Sequence, residues 1–273
     1  MSELEFLGAL HVELLRHREL RPEHPDHELF QTSTVEALLA GAFEGDVTLR
    51  DLLEHGDLGL GTLNRIDGEL IVLDGRAWKA ELDGTLSTPE LSTKTPYAVV
   101  VRFSPGPRVH LRGPFGEAEL ERRLRERVAA APRPTAIRID GRFGAVRVRS
   151  VPKQSPPYPP LAEVIAHQQI TDLAGVTGTM VGFRFPDALG GLEIVGSHLH
   201  FVTEDRALGG HVLGYTLLEA TAQLDDADEL HVELPPAVTV PSRGATLDQA
   251  ALRRLESDAP ADTRPIRPGH RDR

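Results

Sequence analysis

Residues 196–215 read GSHLHFVTEDRALGGHVLGY, and this stretch decides how the chain folds around its chemistry. His198 and His200 stand two apart among Leu199, Phe201 and Val202, which are good strand formers. On a strand, residues i and i+2 point to the same face, so two imidazoles project side by side. A polar turn over 203–208 and the pair Gly209-Gly210 follow, and then comes His211. A hairpin centred between Asp205 and Arg206 sets His200 opposite His211, with Cβ atoms about 4.5–5.5 Å apart. The segment then presents three imidazoles on one patch, a facial set with open positions like that of catalytic zinc sites. A bulge at the glycine pair would slip this register by one residue.

Strand patterns at 178–184, 192–202, 211–220 and 229–234 make the stretch part of a β-meander. Upstream, residues 152–160 (PKQSPPYPP) are too proline-dense for regular structure and mark an internal boundary. A first meander runs from 58 to 103. It is punctuated by Asp67-Gly68, Asp74-Gly75 and Asp83-Gly84, dipeptides that favour tight turns with positive φ. Residues 108–113 extend it. Alternation resumes over 135–149 through Ile137, Ile139, Phe143, Ala145 or Val146, and Val148, with Asp140-Gly141 as a hairpin turn.

Helical periodicity covers 4–20, 33–44 (Ser33 as cap, Glu36 three positions on), 48–54 (capped by Thr48), 117–130 and 247–257 (from Thr246, with Gln249 three residues on). The alternating acids and arginines of 117–130 read as a solvated helix face. The expected fold is α+β, with two sheet-based lobes of mixed and antiparallel strands and a few flanking helices. The expected divisions are an N-terminal helix and polar linker (1–28), a first lobe (29–150), a second lobe with the histidines and final helix (151–258), and a disordered tail (259–273).

Composition narrows the chemistry. The chain has no cysteine, which excludes a disulfide framework, a thiolate nucleophile, a Cys-type zinc site and an iron–sulfur cluster. Any metal site therefore uses His, carboxylate or carbonyl ligands, and zinc suits an imidazole set. A net charge of −11 argues against nucleic acid as a main partner. No segment approaches the length of apolar chain that spans a membrane, and the first residues do not read as a secretory signal, so the expected location is the cytoplasm. Of the other histidines, His24 and His27 flank Pro25 in a linker. His17, His55, His110, His167, His231 and His270 lack a spaced partner.

The segments also resemble a known family, the acetolactate decarboxylases. The resemblance runs from about residue 29 to 257. It is carried by STVEALLAGAFEGDVTLRDLLEHGDLGLGTLNRIDGELIVLDG (33–75), KTPYAVVVRF (94–103), AIRIDGRFGAVRVRSVPKQSPPYPPL (136–161) and GTMVGFRFPDALGGLEIVGSHLHFVTEDRALGGHVLGY (178–215). It implies zinc held by His198, His200 and His211, and conversion of 2-acetolactate to acetoin and CO₂. It further implies active-site roles for Glu69 in the D-G-E-L turn, Arg149 before the V-P-K-Q run, Thr62 in the G-x-G-T stretch and Glu256 near the C-terminus, and a homodimer. Without the resemblance, Glu69 reads as a turn carboxylate, and alternation does not choose between Arg147 and Arg149.

The expected mechanism has substrate ketone and hydroxyl oxygens chelating zinc as a Lewis acid, Arg149 binding carboxylate or enediolate oxygens, and Glu69 or Glu256 supplying the proton. Two other readings fit the histidines alone. One is another three-histidine zinc enzyme, a hydrolase or hydratase; the other is a non-catalytic sheet protein.

Overall fold

The computed structural model describes residues 11–15, 27–126, 133–190 and 192–235. Two β layers face each other. The first is an eight-stranded sheet ordered β1-β15-β2-β9-β4-β5-β6-β7. Its strands are β1 (His11–Leu15), β2 (Glu28–Thr32), β4 (Leu58–Thr62), β5 (Glu69–Leu73), β6 (Arg76–Ala80), β7 (Leu86–Ser87), β9 (Tyr97–Val101) and β15 (Glu229–Glu233). β1, β15 and β2 run parallel, and the remaining neighbours pair antiparallel. A two-residue ladder joins β3 (Val47–Thr48) to β8 (Lys94–Thr95).

The second layer contains β10 (Val109–Phe115), β11 (Thr135–Ser150), β12 (Gln169–Phe185), β13 (Gly196–Thr203) and β14 (Gly209–Asp226). β11 pairs with both β12 and β14, β12 pairs with β13, and β13 returns to the first residues of β14. These four strands close on themselves as a small barrel, which removes their free edges. β10 lies along the far half of β14.

The barrel interior holds Ile137, Ile139, Phe143, Val146, Val148, Phe201 and Leu217, and Leu120 and Leu124 of α3 (Glu117–Arg125) pack with them. A second core lies between barrel and sheet: Leu60, Ile71, Val99 and Val101 on one side meet Val181, Phe183 and Val202 on the other. The opposite face of the sheet is covered by Leu49 and Leu52 of α2 (Leu49–His55). β9 reads YAVVV because both of its faces are buried, with Val99 in one core and Ala98 and Val100 in the other. Two short helices, α1 (Val35–Leu39) and α4 (Leu161–Ile165), complete the α+β fold.

Several expectations change. Residues 11–15 form a strand rather than part of a helix over 4–20, since they pair with β15. α1 is capped by Thr34, whose hydroxyl accepts from the Ala37 amide, and not by Ser33, which sits at φ 64. Thr48 caps α2 as expected, in a reciprocal box with Asp51. Residues 109–115 join the barrel and do not extend the first meander. Asp140-Gly141 is no turn: β11 runs straight through it, held on both edges by β12 and β14.

Residues 229–233 belong to the first sheet, where β15 inserts between β1 and β2. A division at 150/151 does not follow the sheets, because β11 lies in the barrel and β15 outside it. The helix over 247–257, Glu256 and the tail lie outside the described residues. No described helix is long and apolar enough to cross a membrane.

Candidate metal centre and its pocket

On β13, Leu199 and Phe201 face the barrel interior while His198, His200 and Val202 face the sheet. The hairpin keeps the in-phase register: His200 pairs with His211, Phe201 with Gly210 and Val202 with Gly209. Its tip is fixed to the sheet by backbone bonds from Leu86 N to Ala207 O (2.9 Å) and from Gly209 N to Gly84 O (2.9 Å). All three histidines are buried, and each offers a ligand atom within 4.8 Å of the others. Their ring centroids are 4.9–5.3 Å apart.

The donor set fits a metal ion. His200 Nδ1 donates to the Leu70 carbonyl at 2.8 Å, so its Nε2 carries the lone pair in the neutral ring. His198 Nε2 and His211 Nδ1 lie 3.2 Å apart. Two nitrogens that are each about 2.0–2.1 Å from one tetrahedral ion stand at nearly that separation. Among the described residues, this is the group that could hold a metal.

The pocket beside the imidazoles gathers the other sequence candidates. Glu69 and Thr62 pair across β5 and β4 and line it. Glu69 Oε2 stands 3.7 Å from His200 Nε2, and the Thr62 hydroxyl donates to the Gly68 carbonyl at 2.7 Å. Arg149 is directly opposite His211 on β11 and is 5 % exposed. Its Nη1 donates to Gln168 Oε1 at 3.3 Å.

Arg147, on the same face, instead reaches Asp172 at 2.7 Å on the exposed side. Lys153 is also drawn outward, to Asp67 at 2.7 Å. Burial pushes the Asp67 carboxyl up, but hydrogen bonds and charge from Lys153 and Lys79 outweigh it and hold the group below its ordinary value. Leu38 of α1 and Ile165 of α4 supply apolar wall.

Sequence reasoning missed Tyr97, Ile194 and Gln168. Tyr97 had one available signal, since it lies in register with Thr62 once β9 is paired to β4. The histidines assigned no chemistry also find ordinary places. His55 stacks on Phe30 (3.8 Å between centroids), His231 sits 3.4 Å from Glu28, and His27 bonds Asp225.

Known proteins give this site its context. Residues 29–240 match the family model described as alpha-acetolactate decarboxylase. The alpha-acetolactate decarboxylase of Methylococcus capsulatus is 40 % identical over 236 residues, which cover 86 % of this chain and 88 % of that one. The Brevibacillus brevis enzyme of the same name is 40 % identical over 77 % of this chain and 74 % of its own. The crystal structure of the Bacillus subtilis strain 168 alpha-acetolactate decarboxylase superposes with a TM-score of 0.79 at 31 % identity, covering 84 % of this chain and 99 % of that one.

Fold, pocket and likeness together define an enzyme of the decarboxylase class. Within that class, the chain belongs to the alpha-acetolactate decarboxylase family.

Proposed function

We propose that the protein converts 2-acetolactate to acetoin and CO₂, with zinc held by His198, His200 and His211. One observation carries this reading: a buried three-imidazole group shares its pocket with a carboxylate 3.7 Å from His200 and a buried guanidinium opposite His211. The substrate is an anion whose C–CO₂ bond breaks heterolytically, leaving an electron pair that must be stabilised and then protonated. The chemistry a bound zinc ion supplies is Lewis-acid stabilisation of that developing charge, at full strength because its three ligands are neutral.

The chain's own residues do the rest. Arg149 offers a planar fork of donors for the carboxylate or, after CO₂ leaves, for enediolate oxygen. Its burial strengthens that pairing relative to water. Glu69 is the candidate to deliver the single proton that completes acetoin, with Glu256 as the other acid. A donor fixed on a strand reaches one face of the enediolate, which supports a single-handed product. Thr62, whose hydroxyl is turned to Gly68, presents oxygen lone pairs to the pocket. The apolar walls exclude water from the carbanion equivalent.

The test is product analysis. Zinc-supplemented protein should release acetoin and CO₂ in equal amounts from 2-acetolactate. Glu69→Gln should keep its metal and lose about 10²–10⁴-fold in kcat. Absence of acetoin from the wild type would contradict the substrate, and an unimpaired Glu69→Gln would remove Glu69 from the chemistry.

A further inference from the structure

One buried polar pair on the pocket wall has no part in the mechanism above. Glu69, Thr62 and Tyr97 face one another in register across β5, β4 and β9, so Tyr97 is the third member of a row along the pocket. Its hydroxyl donates to Glu193 Oε2 at 2.5 Å. Tyr97 is 2 % exposed and Glu193 0 %. Taking a carboxylate and a phenol out of water is costly without hydrogen bonds, and here the phenol meets one oxygen of the carboxylate. The sheet does not require them, since the next residues on that face of β9 are Val99 and Val101.

The pair spans two pieces of the molecule. Glu193 precedes Ile194, which lines the same pocket, in the segment leading into β13. That segment is anchored again one residue earlier, where the Leu192 carbonyl accepts from Val35 N (3.1 Å) and Gln31 Nε2 (3.0 Å). The Tyr97–Glu193 bond thus fixes the Tyr97 ring on the sheet relative to Ile194 on the approach to the histidines.

We propose that Tyr97 and Glu193 are specificity-determining residues: their hydrogen bond holds the Tyr97 ring and Ile194 as a rigid wall against the alkyl group on C2 of the substrate. The inference rests on the decarboxylase reading of the pocket. With the imidazoles and Arg149 engaging the polar atoms, the alkyl group is left to the apolar wall, of which Val35, Tyr97 and Ile194 are part. A wall that cannot move rejects an added methylene, and one methylene in an apolar pocket is worth about 10–200-fold.

The test compares 2-acetolactate with its 2-ethyl homologue. The wild type favours the methyl substrate in kcat/KM. Tyr97→Phe and Glu193→Ala lower that preference by about tenfold, chiefly through KM of the homologue. Glu193→Gln, whose amide oxygen still accepts from the hydroxyl, retains the wild-type preference. An unchanged preference in Tyr97→Phe and Glu193→Ala overturns the proposal, whatever happens to the unfolding temperature. An equal fall for both substrates in Tyr97→Phe also overturns it, because the hydroxyl would then belong to the chemistry.

A second measurement separates the wall from the reaction. Calorimetry on zinc-supplemented protein compares two unreactive reduced analogues, 2,3-dihydroxy-2-methylbutanoate and its 2-ethyl homologue. A narrowed Kd ratio in Tyr97→Phe supports the wall even if the wild type makes no acetoin. An unmoved ratio in a wild type and variant that both make acetoin contradicts the wall alone.

Discussion

His200 does two things at once: its Nδ1 is tied to the sheet through the Leu70 carbonyl, and its Nε2 faces the other imidazoles and Glu69. Such an outer bond fixes ring orientation before any metal arrives. Arg149 shows how sharply position separates chemically identical residues. Arg149→Lys should lose about 100-fold in kcat/KM, since an ammonium cannot reproduce the planar fork and misplacement of a binding group is costly. Arg147→Lys should be nearly silent in the same assay, because Arg147 is partnered with Asp172 on the exposed side. The reverse result would assign the wrong arginine.

Asp67, two residues before Glu69, gives a pH signature. Its carboxyl is held below its ordinary 3.8 because Lys153 and Lys79 outweigh the upward push of burial. A folded value below the unfolded one means that ionised Asp67 stabilises the fold above the unfolded value, and that this is lost as pH falls through the folded value. The unfolding temperature should therefore drop more steeply below about pH 4 in the wild type than in Asp67→Asn. Equal slopes in thermal melts from pH 6 to pH 3 would show that the contact contributes nothing. At this scale the histidines were legible because a two-residue period and a hairpin are local rules. Arg149 was not, because its burial depends on what packs over it.

At the scale of elements, most strands and the α2 cap followed from local pattern, and the errors have physical causes. Asp140-Gly141 has the chemistry of a turn, yet pairing on both edges keeps the chain extended there. Register shifts in β11 near Phe143 let Phe143 and Val146, of opposite parity, both face the barrel interior. That change of phase turns Arg147 and Arg149 alike out of the barrel, and what packs over Arg149 alone separates the buried arginine from the one that pairs with Asp172. Two substitutions separate element stability from site assembly. Thr48→Ala removes a reciprocal cap and should cost about 1 kcal/mol in denaturant unfolding without altering metal affinity.

Gly182→Ala is different, since a Cβ there would stand 2.0 Å from the His198 carbonyl oxygen. That backbone must shift, so overpacking of about 1–3 kcal/mol should be accompanied by weaker metal binding. Unchanged metal affinity in Gly182→Ala would mean that the β12–β13 contact does not set the histidine geometry.

For the whole molecule, the site exists because a closed barrel presents its outer face to a sheet. The barrel contributes the imidazoles and Arg149, and the sheet contributes Glu69, Thr62 and the carbonyl that orients His200. The two layers are also joined at the opposite end, where Asp225 of β14 accepts from Ser104 N at 2.8 Å and bonds His27 just before β2. This arrangement was only half legible. Two sheet systems could be read from the meanders, but the return of β15 to the first sheet depends on long-range parallel pairing, which leaves no local mark.

In a chain without cysteine, the candidate centre is built on three neutral imidazoles, with the Glu69 carboxylate 3.7 Å from His200 Nε2. This all-imidazole group is proposed to hold the metal that decarboxylation needs. Zinc titrated into chelator-treated protein, with acetoin formation from 2-acetolactate followed throughout, tests it most directly. The expected result is no turnover without metal, a rise that saturates at one ion per chain, and no recovery in His200→Ala. Full turnover by the chelated protein, or metal-dependent turnover by His200→Ala equal to that of the wild type, would contradict it.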